Sequence, residues 1–126
     1  MAQEAARNVR RLRPLRVVLA SHDRRFMRVT SFLLDRRGYD VVLAGTTNLV
    51  EAAARVRADV VVLEVGASRA SSGRALAALA ALPSPPAVVT VVEHGAGNDL
   101  PGVLTLAKWT PIDELAREIE AASLRP

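Results

Sequence analysis

Ala58-Asp59-Val60-Val61-Val62-Leu63-Glu64 is the stretch that decides how this chain folds. Its uninterrupted apolar run is rich in β-branched residues, which is typical of a strand buried on both faces of a parallel sheet. The run ends on an acid. Parallel α/β sheets place their chemistry at the carboxyl ends of their strands, so Glu64 stands where a functional side chain is expected.

A second strand-like run carries the opposite charge at its end. Residues 103–108 finish on Lys108, the only lysine in a chain that otherwise takes its positive charge from arginine. We expect Glu64 and Lys108 to form a pair. At a partly exposed strand edge, such a pair would be worth about 1 kcal/mol.

Strand-like and helix-like segments alternate along the rest of the chain. Runs rich in apolar and β-branched residues predict strands at residues 15–20, 39–44, 58–64, 87–92 and 103–108. A helical period predicts a helix over residues 23–37, with buried positions at Phe26, Val29, Leu33 and Leu34. Segment 93–102 holds three glycines and a proline, which predicts a loop or one helical turn.

Capping signals predict where the other helices begin. Asn48, with Glu51 three residues later, is a plausible capping pair for a second helix. Ser71-Ser72 is placed to cap an alanine-rich third helix. Thr110-Pro111 predicts a last helix with threonine as the N-cap and proline at the first helical position, and Leu115 and Ile119 mark its buried stripe.

This alternation predicts an α/β fold, a doubly wound parallel sheet with right-handed crossovers and helices on both faces. At this length the flavodoxin-like strand order 2-1-3-4-5 is the economical arrangement, with the helix before the fifth strand shortened or missing. We expect a basic, flexible N-terminal arm at residues 1–14, one domain at 15–122 and a short tail at 123–126.

Composition limits the chemistry and the location. The chain has no cysteine, and His22 and His94 lie far apart, so neither a thiolate site nor a zinc site is expected. The apolar stretches are too short to span a bilayer, and arginines interrupt any apolar core in the first twenty residues. We therefore expect a cytoplasmic protein without membrane insertion.

The formal charge of +4 belongs to the N-terminal arm and the residues beside it. Five arginines between residues 7 and 16 outweigh Glu4 by four charges, so the remaining residues sum to zero. A solvated, mobile terminus explains this basicity, and contact with nucleic acid is the alternative. Within the arm, that alternative would use Arg7, Arg10, Arg11 and Arg13.

The order and spacing of these segments resemble the receiver domain of bacterial response regulators. The similarity rests on Gly38-Tyr39-Asp40-Val41-Val42, on residues 58–63 and on Lys108, and it covers residues 15–122. The resemblance implies an acidic pair and an aspartate that hold magnesium, with the aspartate accepting a phosphoryl group. A hydroxyl and a lysine complete such a site.

Most of the implied site positions are degenerate. The acidic pair falls on Ser21 and His22, the phosphoacceptor falls on Glu64, the hydroxyl falls on Val91, and Lys108 alone matches. Neither Ser21 nor His22 supplies an anionic oxygen, and glutamate is one methylene longer than aspartate. We therefore expect no magnesium or other cofactor and no catalysis. The resemblance implies an atypical pseudo-receiver that takes part in two-component signal transduction independently of phosphorylation.

Further departures concern a partner surface. Thr105 stands where the family has its switch aromatic, and Trp109 replaces the proline that usually follows the lysine. We expect a protein partner, or a second copy in a homodimer, to dock around Lys108, Trp109 and the last helix, with Thr105 and Leu115 at the possible surface. Trp109 covering the apolar top of the last helix is the alternative.

Several interpretations stay open at this point. Glu64 either mimics a phosphorylated state or forms a structural salt bridge with Lys108. Asp23 is a possible substitute metal ligand, and His22 could join Glu64 and Lys108 in an acid–base cluster, although no nucleophile accompanies it. The alternative functions are a nucleic-acid-associated regulator using the arginine arm and a small-ligand sensor at the C-terminal edge of the sheet.

Overall fold

The computed structural model describes residues 13–66, 69–93 and 104–124. Segment 94–103 lies outside the described residues, and so does the prediction of a shortened helix before the fifth strand. The elements are β1 (Arg16–Ala20), α1 (Arg24–Arg36), β2 (Asp40–Ala44), α2 (Leu49–Val56), β3 (Val60–Glu64), α3 (Arg69–Ala80), β4 (Ala87–Val92), β5 (Leu104–Ala107) and α4 (Ile112–Ser123).

The predicted doubly wound sheet is confirmed. Its five strands are all parallel and lie in the order β2-β1-β3-β4-β5. The register pairs Ala20 with Leu63, Glu64 with Val91, and Val92 with Ala107. The carboxyl ends of four strands are thereby aligned at one edge, which brings the residues that follow them together.

Two apolar layers cover the sheet because side chains alternate along each strand. On one face, Val17, Val62 and Val91 pack with residues of α1 and α4. On the other face, Val18 and Val61 pack with residues of α2 and α3. Strands β1 and β3 are therefore buried on both sides, as the continuous valine runs predict.

The buried stripe of α1 differs from the predicted one. Phe26, Thr30 and Leu34 are buried at a spacing of four residues, whereas Val29 is 39% exposed. The prediction of Val29 as a core residue was wrong. A threonine takes the position that faces the sheet, because the direction of the stripe is set by packing on the sheet and not by hydrophobicity alone.

Two predicted helix starts also need correction. Helix α3 begins at Arg69, so Ser71-Ser72 lies inside it and does not cap it. The alanine-rich sequence has a high helix propensity, which lets the helix extend upstream through both serines. In α4 the N-cap is Pro111 rather than Thr110, whose hydroxyl instead donates a 2.6 Å hydrogen bond to the carbonyl of Ala107.

Asn48 is the N-cap of α2 as predicted, but it makes no side-chain capping bond. Its Oδ1 accepts a 2.8 Å hydrogen bond from the backbone N–H of Gly45, so the side chain closes the preceding loop. None of the helices in the described part of the chain is long and apolar enough to cross a membrane.

Candidate functional site

Lys108 follows β5 at the C-terminal edge of the sheet, and its side chain turns inward. Its Nζ lies 2.9 Å from Oε2 of Glu64 at the end of β3, so the expected pair forms. The same Nζ lies 2.8 Å from Oδ2 of Asp23, in the loop between β1 and α1. One ammonium group therefore joins two carboxylates from different strand ends.

This cluster is far less exposed than the sequence suggested. The side chain of Lys108 is 3% exposed and that of Glu64 is 13% exposed. The expectation of a partly exposed edge was wrong, so the figure of about 1 kcal/mol for an exposed pair does not apply here. In a buried cluster each charge depends on its counter-charges, so removal of one partner is much more costly.

Ser21 connects Asp23 to Glu64. Its hydroxyl accepts a 2.9 Å hydrogen bond from the backbone N–H of Asp23 and donates one to Oε1 of Glu64. Both carboxylate oxygens of Glu64 therefore have donors, one from Ser21 and one from Lys108. Serine at this position orients the carboxylate that receives the lysine.

Asp23 is the site residue whose role was missed. Its Oδ1 caps α1 by accepting from the N–H of Phe26 at 3.1 Å, while its Oδ2 binds Lys108. A signal was present, because an aspartate at the N-cap of a helix that follows a strand must lie at the functional edge of the sheet. The sequence did not show that Lys108 would reach it.

The cluster shifts the pKa of two of its members. Burial by itself lowers the pKa of the Lys108 ammonium, but hydrogen bonds and charge attraction from Asp23 and Glu64 outweigh it, so the pKa is raised above its usual value. The pKa of Asp23 is lowered, first by its hydrogen bond with Lys108 and then by the N–H of Phe26. Both shifts favour the charged forms.

Aromatic rings link this cluster to the surface. The Nζ of Lys108 lies 5.5 Å from the centroid of the buried Phe26 ring, and the Trp109 ring meets Phe26 edge-on at 5.3 Å. Trp109 nevertheless remains 54% exposed. Leu115 is 3% exposed and belongs to the core beneath α4, which confirms its predicted place in the buried stripe, whereas its prediction as a partner-surface residue was wrong. As the first fully buried position of the helix, it packs in the core cluster that α4 forms with the sheet.

The remaining predicted positions lie around the cluster without joining it. The Nε2 of His22 is 3.0 Å from the hydroxyl of Thr46. Val91 is fully buried in the apolar core. The Oγ1 of Thr90 donates to the carbonyl of Leu104 at 2.9 Å and therefore accepts from the hydroxyl of Thr105 at 2.8 Å. The two threonines thus tie β4 to β5.

The arginine arm enters the described part of the chain only at its end. Arg13 forms two hydrogen bonds with the carboxylate of Asp59, at 3.0 and 3.3 Å. Asp59 also accepts from the backbone N–H of Arg16 at 2.8 Å. Arg13 is thereby engaged at the N-terminal edge of the sheet. Arg7, Arg10 and Arg11 lie outside the described residues.

Several solved structures share this arrangement of strands and helices. The signal receiver domain of a Luxo repressor protein from Vibrio parahaemolyticus has a TM-score of 0.74 and 17% identity, over 89% of this chain and 91% of that one. The signal receiver domain of the response regulator NarL from Mycobacterium tuberculosis has a TM-score of 0.71 and 20% identity, over 90% and 99%. This chain has the receiver-domain fold.

A third structure with the receiver fold is the response regulator domain of CheB from Thermotoga maritima. It has a TM-score of 0.64 and 18% identity, and the match covers 90% of this chain and 100% of that one. No protein-family model matches the chain, and no curated protein is significantly similar to it in sequence. The likeness therefore establishes the receiver fold and nothing finer.

The magnesium site implied by the receiver resemblance does not fit the residues present. Magnesium prefers anionic oxygen ligands in near-octahedral geometry. Here the carboxylates of Asp23 and Glu64 are already bridged by the Lys108 ammonium. Among the residues that the structure describes, no group of three or more His, Asp and Glu side chains is placed to hold a metal ion.

Proposed function

We propose that this receiver-like domain is a phosphorylation-independent protein-interaction module of bacterial two-component signalling, working in the cytoplasm by binding and not by catalysis. One observation carries the proposal. The ammonium of Lys108 lies between the carboxylates of Asp23 and Glu64. The cluster therefore contains its own cation, and this cation holds both carboxylates in place. A site of this kind needs no metal ion to remain assembled.

The chemistry of the cluster also argues against phosphoryl transfer. Glu64 has a donor on each carboxylate oxygen, so a phosphoryl donor would have to approach an oxygen that already accepts a hydrogen bond. The buried Val91 has no hydroxyl with which to sense a product. The same contacts support the interpretation of Glu64 as a constitutive partner of Lys108, whether or not that state mimics phosphorylation.

The docking surface that we propose centres on Trp109. Its ring packs edge-on against Phe26 yet exposes about half its area, beside the buried Lys108 cluster. A large, partly exposed aromatic ring that packs against a buried side chain is the kind of residue that dominates protein interfaces. A protein partner or a second copy of the chain would cover it.

The first test asks whether the cluster reacts at all. The protein is incubated with magnesium and acetyl phosphate, or with beryllofluoride, and followed by intact mass and Trp109 fluorescence. We expect no adduct and no fluorescence change, while a receiver domain that retains its phosphoacceptor aspartate responds under the same conditions. A magnesium-dependent adduct, or a fluorescence response lost in Glu64→Gln, would refute phosphorylation independence.

The second test concerns the surface. We expect Trp109→Ala to weaken self-association in sedimentation velocity or, for a monomer, capture of a defined signalling partner, by roughly tenfold or more. Phe32→Ala is the matched control, because Phe32 is another exposed aromatic residue, on α1. Equal effects of the two substitutions would show that the surface around Trp109 has no special role.

A further inference from the structure

A cleft opens at the C-terminal edge of the sheet, on the side covered by α2 and α3. It has a volume of about 510 Å³, within the ~300–1,000 Å³ range of small-molecule sites. The loops after β1 and β2, the end of β3 and the first turns of α3 form its walls. We name it the switch-point cleft, and its polar lining includes His22, Thr46, Thr47, Ser71, Ser72 and Arg74.

The position of the cleft follows from the strand order. Strand β1 lies between β2 and β3, and the chain leaves β1 through α1 on one face but reaches β3 through α2 on the other. The loops that follow β1 and β3 therefore lead to opposite faces of the sheet and leave a crevice at the carboxyl ends of these two strands. In open α/β sheets, ligands bind in the crevice created at such a point.

The two charged residues in the lining of the cleft differ in their partners. Glu64, a carboxylate in its lining, is bound by Ser21 and Lys108. The exposed guanidinium of Arg74 donates only a long 3.3 Å hydrogen bond to the hydroxyl of Ser71, and it forms no salt bridge with any residue that the structure describes. Within the described part of the chain, the cleft thus offers a cation without a counter-ion.

Neutral donors line the same cleft. Thr46 and Thr47 contribute hydroxyls from the loop after β2, and that of Thr46 lies 3.0 Å from the Nε2 of His22. Hydroxyl groups can rotate to donate to an anionic oxygen, and a guanidinium binds a carboxylate or phosphate through two parallel hydrogen bonds. Leu63 and Ala75 supply an apolar wall. This combination of groups suits a small molecule that carries an oxyanion.

We propose that the switch-point cleft binds a small molecule with a phosphate or carboxylate group, whose oxyanion pairs with Arg74 and accepts from the neighbouring hydroxyls. The site is separate from the surface around Trp109, which packs on α1 at the opposite face of the sheet. The inference therefore goes beyond the proposed function and does not depend on it.

The test is isothermal titration calorimetry with three probes, namely inorganic phosphate, glycerol 3-phosphate and succinate. We expect saturable one-to-one binding of at least one probe, and Arg74→Gln is expected to weaken it by roughly tenfold or more. Arg55→Gln is the matched control, because Arg55 is an exposed arginine on α2 and is outside the cleft lining. Binding of the phosphates alone or of succinate alone would identify the preferred oxyanion.

Three outcomes would overturn the proposal. The first is the absence of saturable binding by all three probes, and the second is unchanged binding by Arg74→Gln. The third is an equal loss of binding in Arg74→Gln and Arg55→Gln, which would show non-specific attraction to arginine. Thermal unfolding of each variant without ligand serves as the check on folding. A second substitution, Thr47→Val, removes one cleft hydroxyl without changing the charge and is expected to weaken binding less than Arg74→Gln.

Discussion

Lys108 is a buried cation held by two carboxylates, so its replacement has a predictable cost. Lys108→Met would leave Asp23 and Glu64 beside each other without a counter-charge. Breaking a fully buried ion pair costs about 3–5 kcal/mol, and because Asp23 is 36% exposed we expect about 2–3 kcal/mol here. Urea unfolding measures the loss. The exposed control Arg55→Met should change stability by less than about 0.5 kcal/mol, and a similarly small loss at Lys108 would contradict the buried cluster.

Asp23 gives the cluster a specific dependence on pH. Its pKa in the folded protein is lowered below the ordinary value of 3.8, so its stabilising contribution is present above that value and is lost as the pH falls through the folded pKa. Asp23→Asn retains a side-chain oxygen for the N–H of Phe26 but removes the charge. We expect the wild type to be more stable than Asp23→Asn at neutral pH, and the difference to shrink as the pH falls below 3.8 and through the lowered pKa of Asp23.

The comparison with Asp23→Asn isolates one group, because the other carboxylates titrate in both proteins. Urea unfolding at a series of pH values gives the difference directly. A difference that grew on acidification would have the wrong sign for a lowered pKa. Lys108 has the opposite behaviour, since its raised pKa makes its contribution complete below the ordinary value of 10.5 and lost only at more alkaline pH.

At the scale of elements, two threonines decide how β5 is held at the edge of the sheet. Thr90 donates to the carbonyl of Leu104 and accepts from Thr105. Thr90→Val removes both bonds in a fully buried position, and we expect a loss of about 1–3 kcal/mol. Thr105→Val removes one bond, and the double variant should cost less than the sum of the single variants. A double-mutant cycle measured by urea unfolding checks this, and simple additivity would exclude coupling.

Helix ends provide a matched pair of backbone predictions. Arg57 closes α2 with φ of 54°, and Gly38 follows α1 with φ of 92°, so both occupy the left-handed region. Arg57→Gly should stabilise the protein by about 0.5–1 kcal/mol, because glycine adopts this conformation without strain. Gly38→Ala should destabilise it by about 1 kcal/mol through backbone strain. A steric clash does not contribute, because an added Cβ meets no atom within 4 Å. Thermal unfolding distinguishes the signs, and a shift in the same direction for both would contradict the assignment.

At the scale of the whole molecule, the occupied cluster predicts indifference to magnesium. A ligand at ten times its dissociation constant stabilises a protein by about 1.4 kcal/mol. We expect no such stabilisation from about 10 mM magnesium chloride beyond the effect of a salt control at equal ionic strength. Thermal unfolding is the measurement. A magnesium-specific rise in the melting temperature that disappears in Glu64→Gln would show that Asp23 and Glu64 rebuild a metal site.

The sequence by itself determined the architecture. Continuous valine runs, separated by segments of helical length, allow few arrangements other than a parallel sheet covered on both faces, and the strand order followed from chain length and crossover handedness. The pairing of Glu64 with Lys108 was also predictable, because strand ends in such a sheet share one edge. These inferences rest on periodicity and connectivity, which are local properties of the chain.

Only the tertiary structure decided what that edge contains. Three features depend on contacts between residues more than forty positions apart in the sequence, namely the burial of Lys108, the second role of Asp23 and the hydrogen bond from Ser21 to Glu64. Only the bond between Ser21 and Asp23 is local. Val29 was misplaced in the core because the burial of a helix residue depends on the direction in which the helix packs. Side-chain direction and burial arise from packing between elements, and periodicity within one element does not specify them.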